Sequence, residues 1–181
     1  MAEGIKIFVS YSHQDAELLT ELLGFLKGIE DEGVELRTDR KIAPGELWDD
    51  AIKARIADCD VALVLVSQAF LDSRYCKDIE IRGFLERKVH IFPIVLSPCE
   101  WRHEWLSSRQ FLPGGDETVE EHYTESGPRR RLFLEIRTRL RELIEQLPAA
   151  TAKPNRPSEC DLPPNPFTQT LAIRAGSSSL T

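Results

Sequence analysis

The sequence has no apolar run near the roughly 18–20 residues that span a bilayer, and none of its 4 cysteines has a partner at CxxC spacing. The first absence argues against a membrane helix. The second argues against a zinc site, and scattered Cys59, Cys76, Cys99 and Cys160 form no disulfide framework. Reduced thiols in a cytoplasmic protein are the expectation. The opening MAEGIKIFVSYS also lacks the charged leader and small-residue cleavage site of a signal peptide. Positive charge is short as well. Formal net charge is −7, and phosphate backbones are bound by Lys and Arg, so no nucleic-acid partner is expected. Arg129, Arg130 and Arg131 form the one basic cluster and read as a solvated helix start. Neither GxGxxG nor a P-loop is present, so any nucleotide has to be held by loops at strand ends.

What is present alternates between two periods. IKIFVSYS (5–12), VELRT (34–38), DVALVLVS (60–67) and KVHIFPIVL (88–96) read as strands, the third so continuously apolar that both its faces are covered. Pro93 removes a ladder donor and points to a sheet edge. Between the strands lie helical patterns. One starts near Asp15, carries Leu18, Leu19, Leu22, Leu23 and Leu26, and is expected to stop at Gly28. Others span 49–58, with Ala51, Ile52, Ile56 and Ala57 inward, and about 73–87. Residues 97–128 read as irregular. A last helix at about 129–147 packs Leu132, Phe133, Ile136, Leu140, Leu143 and Ile144. This order predicts a flavodoxin-like α/β fold, a doubly wound parallel sheet with helices on both faces. Ligands then gather beyond the carboxyl ends of the strands, at the loops after residues 12, 38, 67 and 96. From about residue 149 the composition turns Pro-rich. That predicts a domain over 1–148 and a linker over 149–181 leading to a further domain.

DSRYCKDIEIRGF (72–84) poses the chemical question. On an α-helix Cys76, Glu80 and Phe84 share one stripe, with Gly83 beside them. Asp78 lies 200° round from Glu80, so only one of the two acids can face a cleft. Glu80 in this apolar setting is either a boundary residue reaching for water or a carboxylate lining a pocket wall.

IFVSYSHQD, TDRKIAPGELW, DVALVLVSQAFLDSRYCKDIE and IFPIVLSPCEW, in this order, resemble the TIR (Toll/interleukin-1 receptor/resistance) family, its bacterial branch in particular, over residues 5 to about 147. A response-regulator receiver is set aside, because SYSHQD and VSQAF lack the acidic pair and the Asp it needs. The resemblance implies one of two activities. Some members cleave NAD at its N-glycosidic bond, giving nicotinamide and ADP-ribose or a cyclic isomer; others only assemble as scaffolds. In the enzymes a glutamate on the helix after the third strand is required, and Glu80 matches it. The aromatic residue often found four places earlier is Cys76 here, with Tyr75 adjacent. The chemistry needs no general acid, since nicotinamide leaves from an already cationic ring nitrogen. One carboxylate beside the ribose suffices where sugar hydrolases need two.

The expected substrate contacts are Tyr11, Ser12 and His13 after the first strand, Lys41, Gly45 and Trp48 in the loop 39–48, Ser67 after the third strand, and Tyr75 and Cys76 beside Glu80. Three of them have a plainer reading. His13 can flank a helix cap, Trp48 can pack at a helix start, and Ser67 can cap the turn before Phe70. Arg37 and Arg40 are further phosphate candidates, since the Arg that many family enzymes carry after the first strand is His13-Gln14 here. Trp101 and Trp105 read as packing residues, and Cys76 as an inert thiol. By the resemblance, the loop 39–48 inserts into a neighbouring copy and completes the site. The resulting expectation is an assembly-activated NAD glycohydrolase of bacterial antiviral defence, with NAD as substrate and no cofactor or metal. Its partners are other TIR protomers and a C-terminal sensor domain. A non-catalytic adaptor is the alternative.

Overall fold

The computed structural model describes residues 4–38, 48–74, 76–100 and 104–147. Lys41, Gly45, Tyr75, Arg40, Trp101 and the tail 149–181 lie outside the described residues, as do the side chains of Trp48 and Asp78.

The four apolar runs form one parallel sheet of β1 (Lys6–Ser10), β2 (Glu35–Thr38), β3 (Val61–Val66) and β4 (His90–Val95), in the order β2-β1-β3-β4. This is the flavodoxin-like order, in which parallel neighbours are joined by crossovers that are right-handed in nearly all such sheets. All of β3 is buried, as its unbroken hydrophobicity required. Ile7 of β1 lies between Leu36 and Val61. β4 is an edge strand, as Pro93 implied. Pro93 sits opposite Val64, and its carbonyl turns outward to accept from Leu112 N–H at 3.2 Å. A residue's N–H and C=O leave a strand on the same side. The donor that proline lacks is therefore one that β3 never needed.

Among the described residues, seven α-helical segments surround the sheet: α1 (Ala16–Glu30), α2 (Trp48–Asp58), α3 (Gln68–Asp72), α4 (Arg82–Glu86), α5 (Glu104–Ser107), α6 (Val119–His122) and α7 (Ser126–Gln146). Strand alternation sorts the core into two layers. Ile7 and Val9 meet Leu19, Leu22 and Leu26 of α1 and Phe133 and Ile136 of α7. Phe25 and Phe133 pack edge to face, 5.4 Å between ring centres. On the opposite face Phe8 meets Ile52 and Ile56 of α2, Phe70 of α3 and Phe84 of α4.

Three boundaries differ from expectation. Helix α1 passes through Gly28 to Glu30, and the left-handed turn falls at Gly33, φ +88°. At Gly28 an added Cβ would meet only the Arg137 guanidinium of α7, at an ordinary contact distance of 3.4 Å. The helix expected over 73–87 is broken. Ser73 is extended (ψ 111°), Cys76–Ile81 is a π-helical segment, and only Arg82–Glu86 is regular α-helix. Residues 97–128, expected to be irregular, contain the short helices α5 and α6. The N-cap hydroxyl of Thr118 holds the start of α6 by accepting from Glu121 N–H at 3.3 Å.

Candidate active site

Ser10 closes β1 on the Phe8 face and is fully buried. Its hydroxyl donates to Oε2 of Glu80, which is itself only 5% exposed. A carboxylate withdrawn from water costs several kcal/mol unless charge or hydrogen bonds compensate it, and Ser10 is one compensating donor. The π-helical segment carries Glu80 to this position. Its i→i+5 winding makes poorer backbone geometry than an α-helix, and such turns concentrate at functional sites. Cys76, Glu80 and Phe84 are all buried, so the stripe read from the sequence survives the wider winding. Gly83 lies beside it because a side chain there would come within 3.0 Å of Ile56.

The other candidates at the carboxyl ends are engaged with one another. Tyr11 is buried in the α1/α7 layer, and its carbonyl accepts from the Cys76 thiol at 3.8 Å. His13 is exposed, its ring 5.7 Å from that of Tyr11 in an edge-on pair. Ser12 is buried and caps the short 3₁₀ turn His13–Asp15, accepting from Gln14 N–H at 3.4 Å. Ser67 caps α3, accepting from Phe70 N–H at 3.0 Å, and donates its proton to Asp15 Oδ2 at 2.6 Å. Burial pushes the Asp15 carboxyl above its ordinary range, against the pull of the Ser67 hydroxyl and the Ser12 backbone. Cys99, after β4, is pushed up to about 11 by burial and then by the Asp15 charge, so it stays a thiol at neutral pH.

Two carboxylates therefore sit at the carboxyl ends of β1 and β3, Glu80 on Ser10 and Asp15 on Ser67. Ser10 and Asp15 are the residues that sequence reading missed as members of the site. For Ser10 a signal existed, a hydroxyl two places after Phe8 on the same face of a buried strand. For Asp15 there was none beyond a helix start, since its partner is 52 residues away.

Arg37 lies elsewhere. Its guanidinium binds Glu35 at 2.8 Å and Asp58 at 3.1 Å near the amino end of β1, where Lys6 also pairs with Asp58 at 2.8 Å. The Glu35 hydrogen bond raises its affinity for its proton. Arg129 starts α7 and is held by the Tyr123 carbonyl at 2.7 Å and Glu21 at 3.2 Å, while Arg130 and Arg131 face solvent. Trp105 is half-buried and packs on the second layer. Two cavities, of about 430 and 180 Å³, open along β4 well away from Glu80. Among the described residues no cluster of His, Cys, Asp or Glu is placed to hold a metal, and no helix is long and apolar enough to cross a membrane.

The family model described as "TIR domain" matches residues 7–125, which contain all but the first residue of β1, the whole of β2 to β4 and both carboxylates. The chain belongs to the TIR domain family. A curated bacterial relative, uncharacterized protein y4lF of Sinorhizobium fredii (strain NBRC 101917 / NGR234), is 31% identical over 176 residues. The match covers 93% of this chain and 53% of the relative, so this TIR chain spans about half that relative's length. Among solved structures, the TIR domain of the Toll-related receptor TRR-2 from Hydra magnipapillata superposes with TM-score 0.51 and 23% identity, covering 72% of this chain and 97% of its own. A prokaryotic SEFIR domain superposes with TM-score 0.53 and 17% identity, covering 84% and 99%. Likeness at this level shows the shared TIR-type fold.

Proposed function

We propose that this TIR domain is an NAD glycohydrolase in which Glu80 stabilises the positive charge that develops on the ribose as nicotinamide departs. The observation that carries this reading is the Glu80 carboxylate itself, buried in an apolar stripe and held by Ser10 where the central strand ends. Strongly desolvated acids at strand-end sites are characteristic of catalysis, because a charge held in low dielectric acts more strongly on a reacting centre. In the net reaction NAD⁺ and water give nicotinamide, ADP-ribose and a proton. Nicotinamide takes the bonding pair of the C–N bond, and water supplies the new oxygen on the ribosyl carbon. Capture of the ribosyl cation by a nucleophile of the same molecule in place of water, with loss of a proton, gives a cyclic isomer instead.

Activity in this reading depends on assembly. The loop 39–48 of one copy is supplied to the strand-end site of the next, so the single copy stays quiet. The bacterial relative is about twice as long as the matched region, which supports the tail 149–181 as a connector to a further domain. A cytoplasmic effector of antiviral defence, with a sensor as that further domain, is the biological setting we infer.

The test is free nicotinamide, measured by chromatography, from the concentrated or assembled chain supplied with NAD. Glu80→Gln and Glu80→Ala should lower the rate by about 10²–10³-fold, the loss typical of one well-placed electrostatic group. A scaffold role is the second reading. It is favoured by the hydrogen bonds that already engage Ser12, Asp15 and Ser67, which a purely structural cluster would also make. Absence of nicotinamide under assembling conditions, or equal release from the variants, selects the scaffold.

A further inference from the structure

The larger cavity, about 430 Å³, lies at the amino end of β4, between that strand, the segment around Arg109 and the last turns of α7. It is at the opposite end of the parallel sheet from Ser10 and Glu80. Three fixed cations, Lys88, Arg109 and Arg139, line it against one carboxylate, Glu142, with His90 beside them. This excess of positive charge sits in a chain of net charge −7. Ile91, Phe92 and Leu143 supply an apolar wall, and the neighbouring 180 Å³ cavity shares Phe92, Gln110 and Arg139.

The Arg109 guanidinium is fixed by the Trp105 carbonyl through one nitrogen, which leaves the rest of its fork available. Arg139 meets Glu142 at a long 3.4 Å. Lys88 is the most informative. It occupies the left-handed position that ends α4, φ +57°. Lys88 N–H donates to the Leu85 carbonyl at 3.1 Å, and Val89 N–H to that of Phe84 at 2.9 Å. That is a Schellman cap, whose left-handed residue is usually glycine because a side chain is strained there. Folding alone would favour a glycine at this position, yet it holds a lysine that lines the cavity.

We propose that this cavity binds a small organic phosphate of about mononucleotide size. Its volume falls in the range of small-molecule sites. The cation excess matches a phosphate dianion better than a single carboxylate, and planar guanidinium groups bind phosphate oxygens in pairs. The apolar wall takes the organic body. The site is independent of Glu80 and stands whether or not the chain cleaves NAD.

The test titrates the 181-residue chain with adenosine 5′-monophosphate, adenosine and inorganic phosphate, by calorimetry and amide shift mapping. The monophosphate should bind saturably and perturb residues 88–92, 109–112 and 139–146. Adenosine should not bind, and inorganic phosphate should bind at least about tenfold more weakly, since it leaves the apolar wall uncovered. Lys88→Gly and Arg139→Gln should each weaken binding about tenfold. Lys88→Gly should melt at the same or a higher temperature, because glycine relieves the left-handed backbone. No saturable binding, equal affinity for phosphate and monophosphate, unchanged affinity in both variants, or perturbations confined to other residues would each overturn the proposal. So would concentration-dependent self-association that Lys88→Gly abolishes and the monophosphate leaves untouched. That result would assign the face to the acidic segment of a second copy, around Glu117 and Glu120.

Discussion

On one face of the sheet, Ile7, Val9 and Tyr11 meet two long helices, α1 of 15 residues and α7 of 21. On the other, Phe8 and Ser10 face α2 of 11 residues and then three pieces of 5, 6 and 5. The first face is a cluster of aliphatic and aromatic side chains, with ion pairs such as Arg129–Glu21 at its rim. The second buries a hydroxyl and a carboxylate at one end of an otherwise apolar layer. Long helices present a continuous apolar stripe, so they give the most burial per residue ordered. Short pieces with a π-helical turn give up regular hydrogen bonding but can aim one side chain. Under the proposed NAD glycohydrolase reading, the first face supplies stability and the second presents the reacting carboxylate.

The largest effect should come from breaking the first face. Phe133→Ala should cost about 3–5 kcal/mol in denaturant unfolding, the range for a fully buried aromatic, with nicotinamide release per folded molecule unchanged. A matching loss of turnover would show that the faces are not separable. On the second face, Ser10→Ala should cost about 1.5–3 kcal/mol, because it strips a buried carboxylate of a donor. It should lower turnover as well. In a Glu80→Gln background the same substitution should cost less, and identical costs in the two backgrounds would uncouple the pair.

A third, smaller effect concerns pH. The folded-state pKa of Asp15 is raised above its ordinary 3.8. Its protonated form is therefore favoured by folding. That contribution is complete below about pH 3.8 and is lost as pH rises through the folded value. Asp15→Asn should remove this component, so the variant gains on wild type from about pH 3 to the end of that titration. Parallel stability–pH curves would exclude Asp15 from the acid response. The smallest effect is at the margin of the first face, where Tyr123 packs against the core. A hydrogen bond to Glu117 holds the Tyr123 phenol up to about 12. Glu117→Gln should move it back toward its ordinary 10, seen by ultraviolet titration.

Particular residues show why the sequence was readable where it was. The run VALVLV could only be a strand covered on both faces, and Leu132, Phe133, Ile136 and Leu140 could only share one side of a helix. Gly28 was the instructive failure. A glycine near the end of a leucine pattern reads as a stop, but here the helix runs on through it to Glu30, and the turn waits until Gly33. The π-helical winding at Cys76–Ile81 was likewise hidden, because an i, i+4, i+8 stripe fits an α-helix equally well.

The candidacy of Glu80 came from its match to the glutamate required in the TIR family's enzymes. By itself the sequence determined the strand and helix periods, the parallel order they impose and the edge position of Pro93. These follow from spacings of a few residues, where burial periodicity is written locally. Only the tertiary structure decided that Ser10 meets Glu80 across 70 positions, that Ser67 meets Asp15 across 52, and that Lys88 and Arg139 share a cavity. Such pairings form when crossovers close, and closure brings together residues whose own neighbours carry no mark of the partner.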